Sequence, residues 1–241
     1  ATFDFLLGET ARDHRLRMVH VNRTPPHANS KKYALTLGIK ASRYEWLLLT
    51  DADCRPNGPA WIASMSSCMG TETEFVLGHS PYLKKPGLLT ASVRFEPLLT
   101  GLPFISFALL GNPYMGVGRN MAYRRSRFLE AKGFNNILHV TGGDDDLFVN
   151  QHARKGNTAV CIGAGSLTYS IPETTWQNFF RQKVRHLSVG YRYRLSHRVL
   201  LGLFTISWLL TWYGGVLLLF LSHHSVIIAG VLGLRLVFVA T

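Results

Sequence analysis

Asp51 and Asp53 stand one residue apart in EWLLLTDADCRPNG, residues 45–58, directly behind an apolar run. Two carboxylates this close repel each other unless a cation lies between them, and such oxygen ligands suit Mg2+ or Mn2+. Leu47, Leu48 and Leu49 read as a short, fully buried strand of the kind central in a parallel sheet. Pro56, Asn57 and Gly58 read as the turn that follows. Both acids then fall at the carboxyl end of a strand, where open α/β sheets place their ligand crevice. The same spacing also suits a solvated loop whose acid caps a helix over Ala60–Met69.

A second acidic stretch is TGGDDDLFVNQ, residues 141–151. Gly142 and Gly143 permit close backbone approach. Asp144, Asp145 and Asp146 then open a helix predicted over Asp145–Lys155, at the end where the helix dipole favours negative charge. Three consecutive acids do not share one face, so one or two point toward a site, with Asp146 the expected cap. An acidic helix start without chemistry is the alternative reading.

The third stretch, TTWQNFFRQKVRHLSVGYRYR at residues 174–194, places Trp176, Phe179, Phe180, Val184 and Leu187 at helical spacing, with basic residues over much of the rest. That pattern predicts an amphipathic helix in a membrane interface, over 174–198. Its arginines either face the lipid headgroups or turn inward to hold phosphate.

The elements around these stretches are legible from pattern. Thr2–Ala11 reads as helix and Leu16–Asn22 as strand; Asn29 or Ser30 caps a helix over Lys31–Ala41. Trp46–Thr50, Phe75–Gly78, Asn120–Arg124 and Thr158–Cys161 read as strands. Leu88–Leu110 is apolar but carries Arg94, Glu96, Pro97 and Pro103, which predicts interrupted helices. Strands alternating with helices predict an α/β domain over 1–173 with a mainly parallel sheet. The chain opens on a helix and closes inside an apolar run, so it is expected to be a fragment whose first strand precedes Ala1.

Charge is distributed unevenly. The net charge is +12, which points to anionic partners. No Asp or Glu follows Glu173, while Arg181, Lys183, Arg185, Arg192, Arg194 and Arg198 crowd a short span. Val199–Leu221 then runs 23 residues without a charged side chain, enough to cross a bilayer core, and a second apolar segment begins at Val226 and runs to Thr241 with Arg235 inside it. The basic cluster puts its side of the membrane in the cytoplasm, so an integral membrane protein with a cytoplasmic catalytic domain is expected. Nucleic-acid binding is not, because the basic residues flank a membrane span and do not track a groove with stacked aromatics. Cys54, Cys68 and Cys161 are odd in number and scattered, which fits reduced thiols.

The ordered set of Asp51-x-Asp53 behind a strand, Gly-Asp-Asp ahead of a helix, and Gln182-x-x-Arg185 ahead of a membrane span resembles the membrane-bound processive family-2 glycosyltransferases, the group that includes cellulose, chitin and hyaluronan synthases. The resemblance implies the GT-A fold, a nucleotide-diphosphate sugar donor (a UDP-sugar first) and a glycan or lipid acceptor. It implies that Asp51 and Asp53 hold Mg2+ or Mn2+ on the donor diphosphate. It assigns the general base to Asp144, with Gly143 where the family has Glu, and Asp145 as the second candidate. It matches Gln182, Arg185 and His186 to the Q-x-x-R-W motif, with His in place of Trp. It places Lys31 or Lys32 at phosphate and the strand around Asn120 at the acceptor side, with His186. Two other activities use the same residues: a membrane-tethered, metal-dependent nucleotidyl- or phosphotransferase, and a non-catalytic membrane adaptor whose acids are helix caps.

Overall fold

The computed structural model describes residues 2–240, with side chains described except at 2, 96–99 and 236–240. The chain divides into two compact units, Ala1–Arg192 and Tyr193–Thr241.

In the first unit, helix α1 (Thr2–Arg12) leads to α2 (Ser30–Ala41), which is capped by the Asn29 side chain accepting from the Lys32 N–H. Strand β1 (Trp46–Leu49), β2 (Cys54–Pro56), α3 (Trp61–Ser66) and β3 (Phe75–Gly78) follow, then α4 (Leu88–Leu109). After β4 (Met121–Arg124) come α5 (Arg125–Glu130), α6 (Asp146–His152), β5 (Thr158–Cys161), β6 (Thr168–Ser170) and α7 (Trp176–Leu187). Leu16–Asn22, expected as a strand, joins no sheet. Alternation alone does not make a strand when no neighbour accepts its hydrogen bonds.

The main sheet has the order β1-β4-β3-β5. β4 pairs antiparallel with both β1 and β3, and only β3–β5 is parallel. The mainly parallel sheet expected from strand–helix alternation is therefore a mixed one. β1, β3 and β5 do run in one direction, as alternation implies. β4 enters between β1 and β3 in the opposite sense, a long-range pairing that no local pattern announces. β1 consequently lies at an edge of this sheet and is half-buried, where a central, fully buried strand was expected. β2 and β6 form a separate antiparallel ribbon, Cys54 opposite Ser170, so Pro56 ends a strand instead of opening a turn. Pro at an edge of a two-stranded ribbon leaves no ladder bond unmade.

α4 is one continuous helix through Pro103; the Glu96 and Pro97 side chains lie outside the described residues. A proline in a helix interior costs about 3 kcal/mol, and burial of Val93, Phe104 and Ala108 offsets it. α7 stops at Leu187, short of the predicted 198, because Val189 turns inward and is 1% exposed.

Phe148 on α6 is the hub of the core. Its ring lies 5.7 Å from Phe75, 5.0 Å from Tyr123, 5.5 Å from Phe128 and 5.9 Å from Phe134. These tilted and edge-on pairs join α6 to β3, β4 and α5, and so fix where the start of α6 points.

The second unit contains α8 (Leu195–Leu209), a π-helical turn over Leu210–Gly214, α9 (Gly215–Leu221) and α10 (Ser225–Ala240). Leu195–Leu221 is the one helix among the described residues long and apolar enough to cross a membrane, with mean hydropathy 1.7 and no part of its apolar window buried. At 1.5 Å per residue it extends about 40 Å, more than the roughly 30 Å hydrocarbon core.

Phe148→Ala is expected to destabilise the protein by about 4 kcal/mol, the usual cost of deleting a buried phenylalanine. A thermal melt showing an unchanged midpoint would contradict the hub role.

Candidate active site

β1 ends at Leu49, and the chain turns at once. The Cys54 N–H donates to the Asp51 carbonyl at 3.0 Å, closing a tight turn over Asp51-Ala52-Asp53 that leads into β2. Asp51 is thus held at the C-terminal edge of β1, beside the start of β4. A cleft opens there, lined by Lys31 and Leu35 of α2, Leu49 to Ala52, Gly118, Met121 and Tyr123, and Asp144 and Asp145. Asp53 is exposed and does not line it.

The Lys31 ammonium ties the cleft together. Its Nζ lies 2.9 Å from Asp144 Oδ2 and 3.4 Å from Asp51 Oδ1. Burial pulls the lysine pKa down, but Asp144, then Asp51 and Asp145, outweigh it and hold the group protonated. Two carboxylates from separate elements therefore face one cation. A divalent ion held at Asp51 would take further oxygens from water and a diphosphate. Among the described residues no three His, Cys, Asp or Glu side chains come together as a ligand set.

Lys32, the other lysine assigned to phosphate, is not in the cleft. It is fully buried, and its Nζ donates to the carbonyls of Ile137, Val140 and Gly142 at 2.8, 2.8 and 2.6 Å. Burial lowers its pKa to about 8, so at neutral pH it remains charged and all three of its protons are placed on carbonyls. The Asn29 N–H adds a bond to the Leu138 carbonyl at 2.8 Å. The start of α2 thereby shapes the loop that delivers Asp144.

That loop passes through Gly142 and Gly143 at φ +81° and +76°, a left-handed turn that glycine adopts without strain. The space beside Gly143 is not open to a ligand: a Cβ there would sit 2.8 Å from Leu147 and 3.0 Å from Val189. Asp144 follows at 9% exposure, its carboxylate toward Lys31. Asp145 has a different environment. Its Oδ2 accepts from the Gly118 N–H at 2.7 Å and its Oδ1 from the Asp146 N–H at 2.9 Å. Asp145, not Asp146, is the residue that caps α6. Burial, and then the neighbouring Asp144 charge, raise its pKa.

Asn120 is also committed. Its amide donates to the carbonyls of His79 and Ser166 at 2.7 Å each, and its oxygen accepts from Trp61 Nε1 at 3.0 Å. It is 0% exposed and knots β4 to β3 and α3, so the acceptor side expected there is a structural joint. Gln182, Arg185 and His186 lie on α7, whose last turn meets the Gly142–Gly143 loop: a Cβ on Gly142 would stand 3.8 Å from Arg185 Cγ. The Gln182 oxygen accepts from the Tyr82 hydroxyl at 3.4 Å. Partial burial, then Lys183, Arg185, Arg119 and Lys31, lower the pKa of His186, so it is neutral at pH 7. One cleft residue, Tyr123, was not singled out within its strand. Tyr123 is 1% exposed and its hydroxyl has no hydrogen-bond partner among the described residues.

Residues 90–240, more than half of the chain, match the family described as Glycosyl transferase family group 2. The chain belongs to that family. Its fold is similar to that of a mannosyltransferase from Pyrobaculum calidifontis solved with GDP-Man and Mn2+, at 15% identity and a TM-score of 0.54, over 78% of this chain and 51% of that one. A mannosyl-3-phosphoglycerate synthase from Rubrobacter xylanophilus matches at 16% identity and a TM-score of 0.39, over 71% of this chain and 53% of that one. The chain thus spans about half the length of these solved structures. No curated protein matches it. The family 2 chain carries a mixed α/β fold with a sheet like that of GT-A glycosyltransferases.

Lys32→Met keeps the stem of the side chain and leaves three buried carbonyls without a donor. It is expected to cost about 2–3 kcal/mol and to lower Tm by roughly 5–10 °C. Lys31→Met, which removes a half-exposed cation and leaves no buried carbonyl without a donor, should lower Tm by less than Lys32→Met does. Equal shifts in differential scanning fluorimetry would contradict this division of labour.

Proposed function

We propose that the protein is an inverting glycosyltransferase anchored in a membrane, which moves a sugar from a nucleotide-diphosphate sugar to a hydroxyl of a glycan or lipid acceptor at the cytoplasmic face. The observation that carries the reading is the convergence of Asp51, Lys31 and Asp144 on one cleft at the C-terminal edge of β1, in a chain of family group 2.

Three events must be served. The leaving nucleoside diphosphate needs its charge neutralised, the acceptor hydroxyl must lose a proton, and the two reactants must be held in line. Asp51, with Asp53 of the same turn, would hold Mg2+ or Mn2+, which would supply Lewis-acid neutralisation of the diphosphate. Lys31 adds positive charge at the same place. Gln182 and Arg185 present the end of α7 to the phosphates. Asp144, whose Oδ2 faces Lys31, takes the acceptor proton as general base. Asp145 cannot share that task while both its oxygens accept from backbone N–H groups; it positions Asp144. One displacement with one base inverts the anomeric centre.

The anchoring rests on Leu195–Leu221 and on the second apolar helix, α10. The exposed apolar face of α7, with Trp176, Phe180, Val184 and Leu187, suits a membrane interface beside its basic residues. The resemblance to processive synthases puts UDP-sugars first for testing. The Pyrobaculum structure, solved with GDP-Man and Mn2+, puts GDP-sugars second and supports a divalent metal.

In the full-length protein, Asp144→Asn should lower transfer by about 100-fold or more, the usual worth of a general base. Its affinity for the nucleoside diphosphate should stay within about threefold, since the metal acids are untouched. Asp51→Asn should lose both transfer and Mn2+-dependent binding. Substantial turnover in Asp144→Asn would remove it as the base.

A further inference from the structure

Arg119 lies between Gly118, in the cleft wall, and the structural Asn120, and no motif assigns it a role. Its side chain reaches Ser170 on the β2–β6 ribbon and Tyr82, which contacts α7. There its Nη1 donates to Ser170 Oγ at 2.8 Å, and its guanidinium lies 4.7 Å over the Tyr82 ring. Ser170 Oγ stands 3.1 Å from Cys54 Sγ, next to Asp53 on the ribbon. Tyr82 in turn donates to Gln182 on α7. A continuous row of contacts therefore runs from the Asp51–Asp53 turn, through Arg119, to Gln182.

Three features mark Arg119 as a binding group. It is half-buried, yet among the described residues it forms no ion pair, unlike Arg127 with Glu74. Its one hydrogen bond is to a neutral hydroxyl, although a guanidinium carries five donors in a rigid fork. Stacking on Tyr82 fixes the plane of that fork and leaves its edge for a ligand. The surroundings are cationic: Arg119, Lys183, Arg185 and Lys31 all act on His186, and Arg119 together with burial lowers the pKa of His79. Such a field stabilises an anion with several oxygens, and the planar fork matches phosphate bidentately.

We propose that Arg119 is a phosphate-binding residue of the donor site, which clasps the diphosphate of the nucleotide sugar between the Asp51–Asp53 turn and the Gln182–Arg185 end of α7. This rests on the proposed function and adds a residue to its machinery. Binding exchanges the Ser170 contact for phosphate oxygens while the Tyr82 stack is retained.

The test is equilibrium binding of UDP and GDP, with Mn2+, to the full-length protein and to Arg119→Met, Arg119→Lys and Ser170→Ala, with UMP and GMP as one-phosphate controls. Arg119→Met should weaken the diphosphate by about tenfold or more, the scale of a charge-assisted bidentate contact. The monophosphates should lose less. Arg119→Lys keeps the charge without the fork and should fall between; it also decides the matter should Arg119→Met fail to fold. Ser170→Ala should stay within about threefold of wild type. Unchanged diphosphate affinity in both Arg119 variants overturns the proposal and leaves the glycosyltransferase reading intact. Equal losses in Ser170→Ala and Arg119→Met also overturn it, because Arg119 would then be only a strut. Absence of diphosphate binding by the wild type would remove the donor site itself.

Discussion

The ammonium group of Lys32 holds three backbone carbonyls, and the geometry of the cleft follows from that one arrangement. A loop of the 137–143 kind has carbonyls that no sheet or helix claims, and burying them unpaired costs about 1–3 kcal/mol each. Lys32 meets Ile137, Val140 and Gly142 together, so the loop has one low-energy course. Along that course Gly142 and Gly143 turn the chain, Val189 packs against the turn, and Asp144 emerges beside the cleft. Phe148 anchors the same segment from below. Asp144 is therefore placed from three sides, by polar, steric and aromatic contacts of different elements.

The neighbouring lysine shows what this placement is for. Successive residues on a helix point about 100° apart, so Lys31 and Lys32 face different surroundings from adjacent positions. Lys32 faces carbonyls and acts on the fold. Lys31 faces Asp51 and Asp144 and acts on the site. Without a cation, two carboxylates converging on one cleft would repel and raise each other's proton affinity. Lys31 between them offsets that repulsion, at the place where a divalent ion and a diphosphate are proposed to bind. The proposed metal acid and the proposed base are thus coupled through one ammonium group.

Much of this was legible in the sequence because it is local. An apolar run ending at Thr50, three acids after two glycines, and a long uncharged segment are properties of short stretches, and the strand end, the helix start and the apolar helix appear where those stretches are. What was not legible depends on long-range pairing. Nothing near Met121 shows that β4 will slip between β1 and β3 in the opposite sense. Nothing near Cys54 shows that Ser170 will pair with it. The resemblance put Asn120 at the acceptor side, but its side-chain bonds go to His79, Ser166 and Trp61, which only the folded sheet brings near. The cap expected at Asp146 falls to Asp145, whose other oxygen accepts from the Gly118 N–H, 27 residues away. Arg119 was given no role of its own within the strand matched to the acceptor side, and its place became visible only with Tyr82, Ser170 and α7 around it.

The central claim is that a divalent metal and a nucleoside diphosphate meet at the Lys31–Asp51–Asp144 cleft. A structure of the full-length protein with Mn2+ and a nucleoside diphosphate, with anomalous scattering recorded for manganese, tests it most directly. The account predicts a manganese peak within about 2.5 Å of an Asp51 carboxylate oxygen, with the β-phosphate on the same ion and the Lys31 ammonium displaced from Asp51. A metal and diphosphate bound elsewhere, with the Lys31–Asp51 contact unbroken, would contradict it.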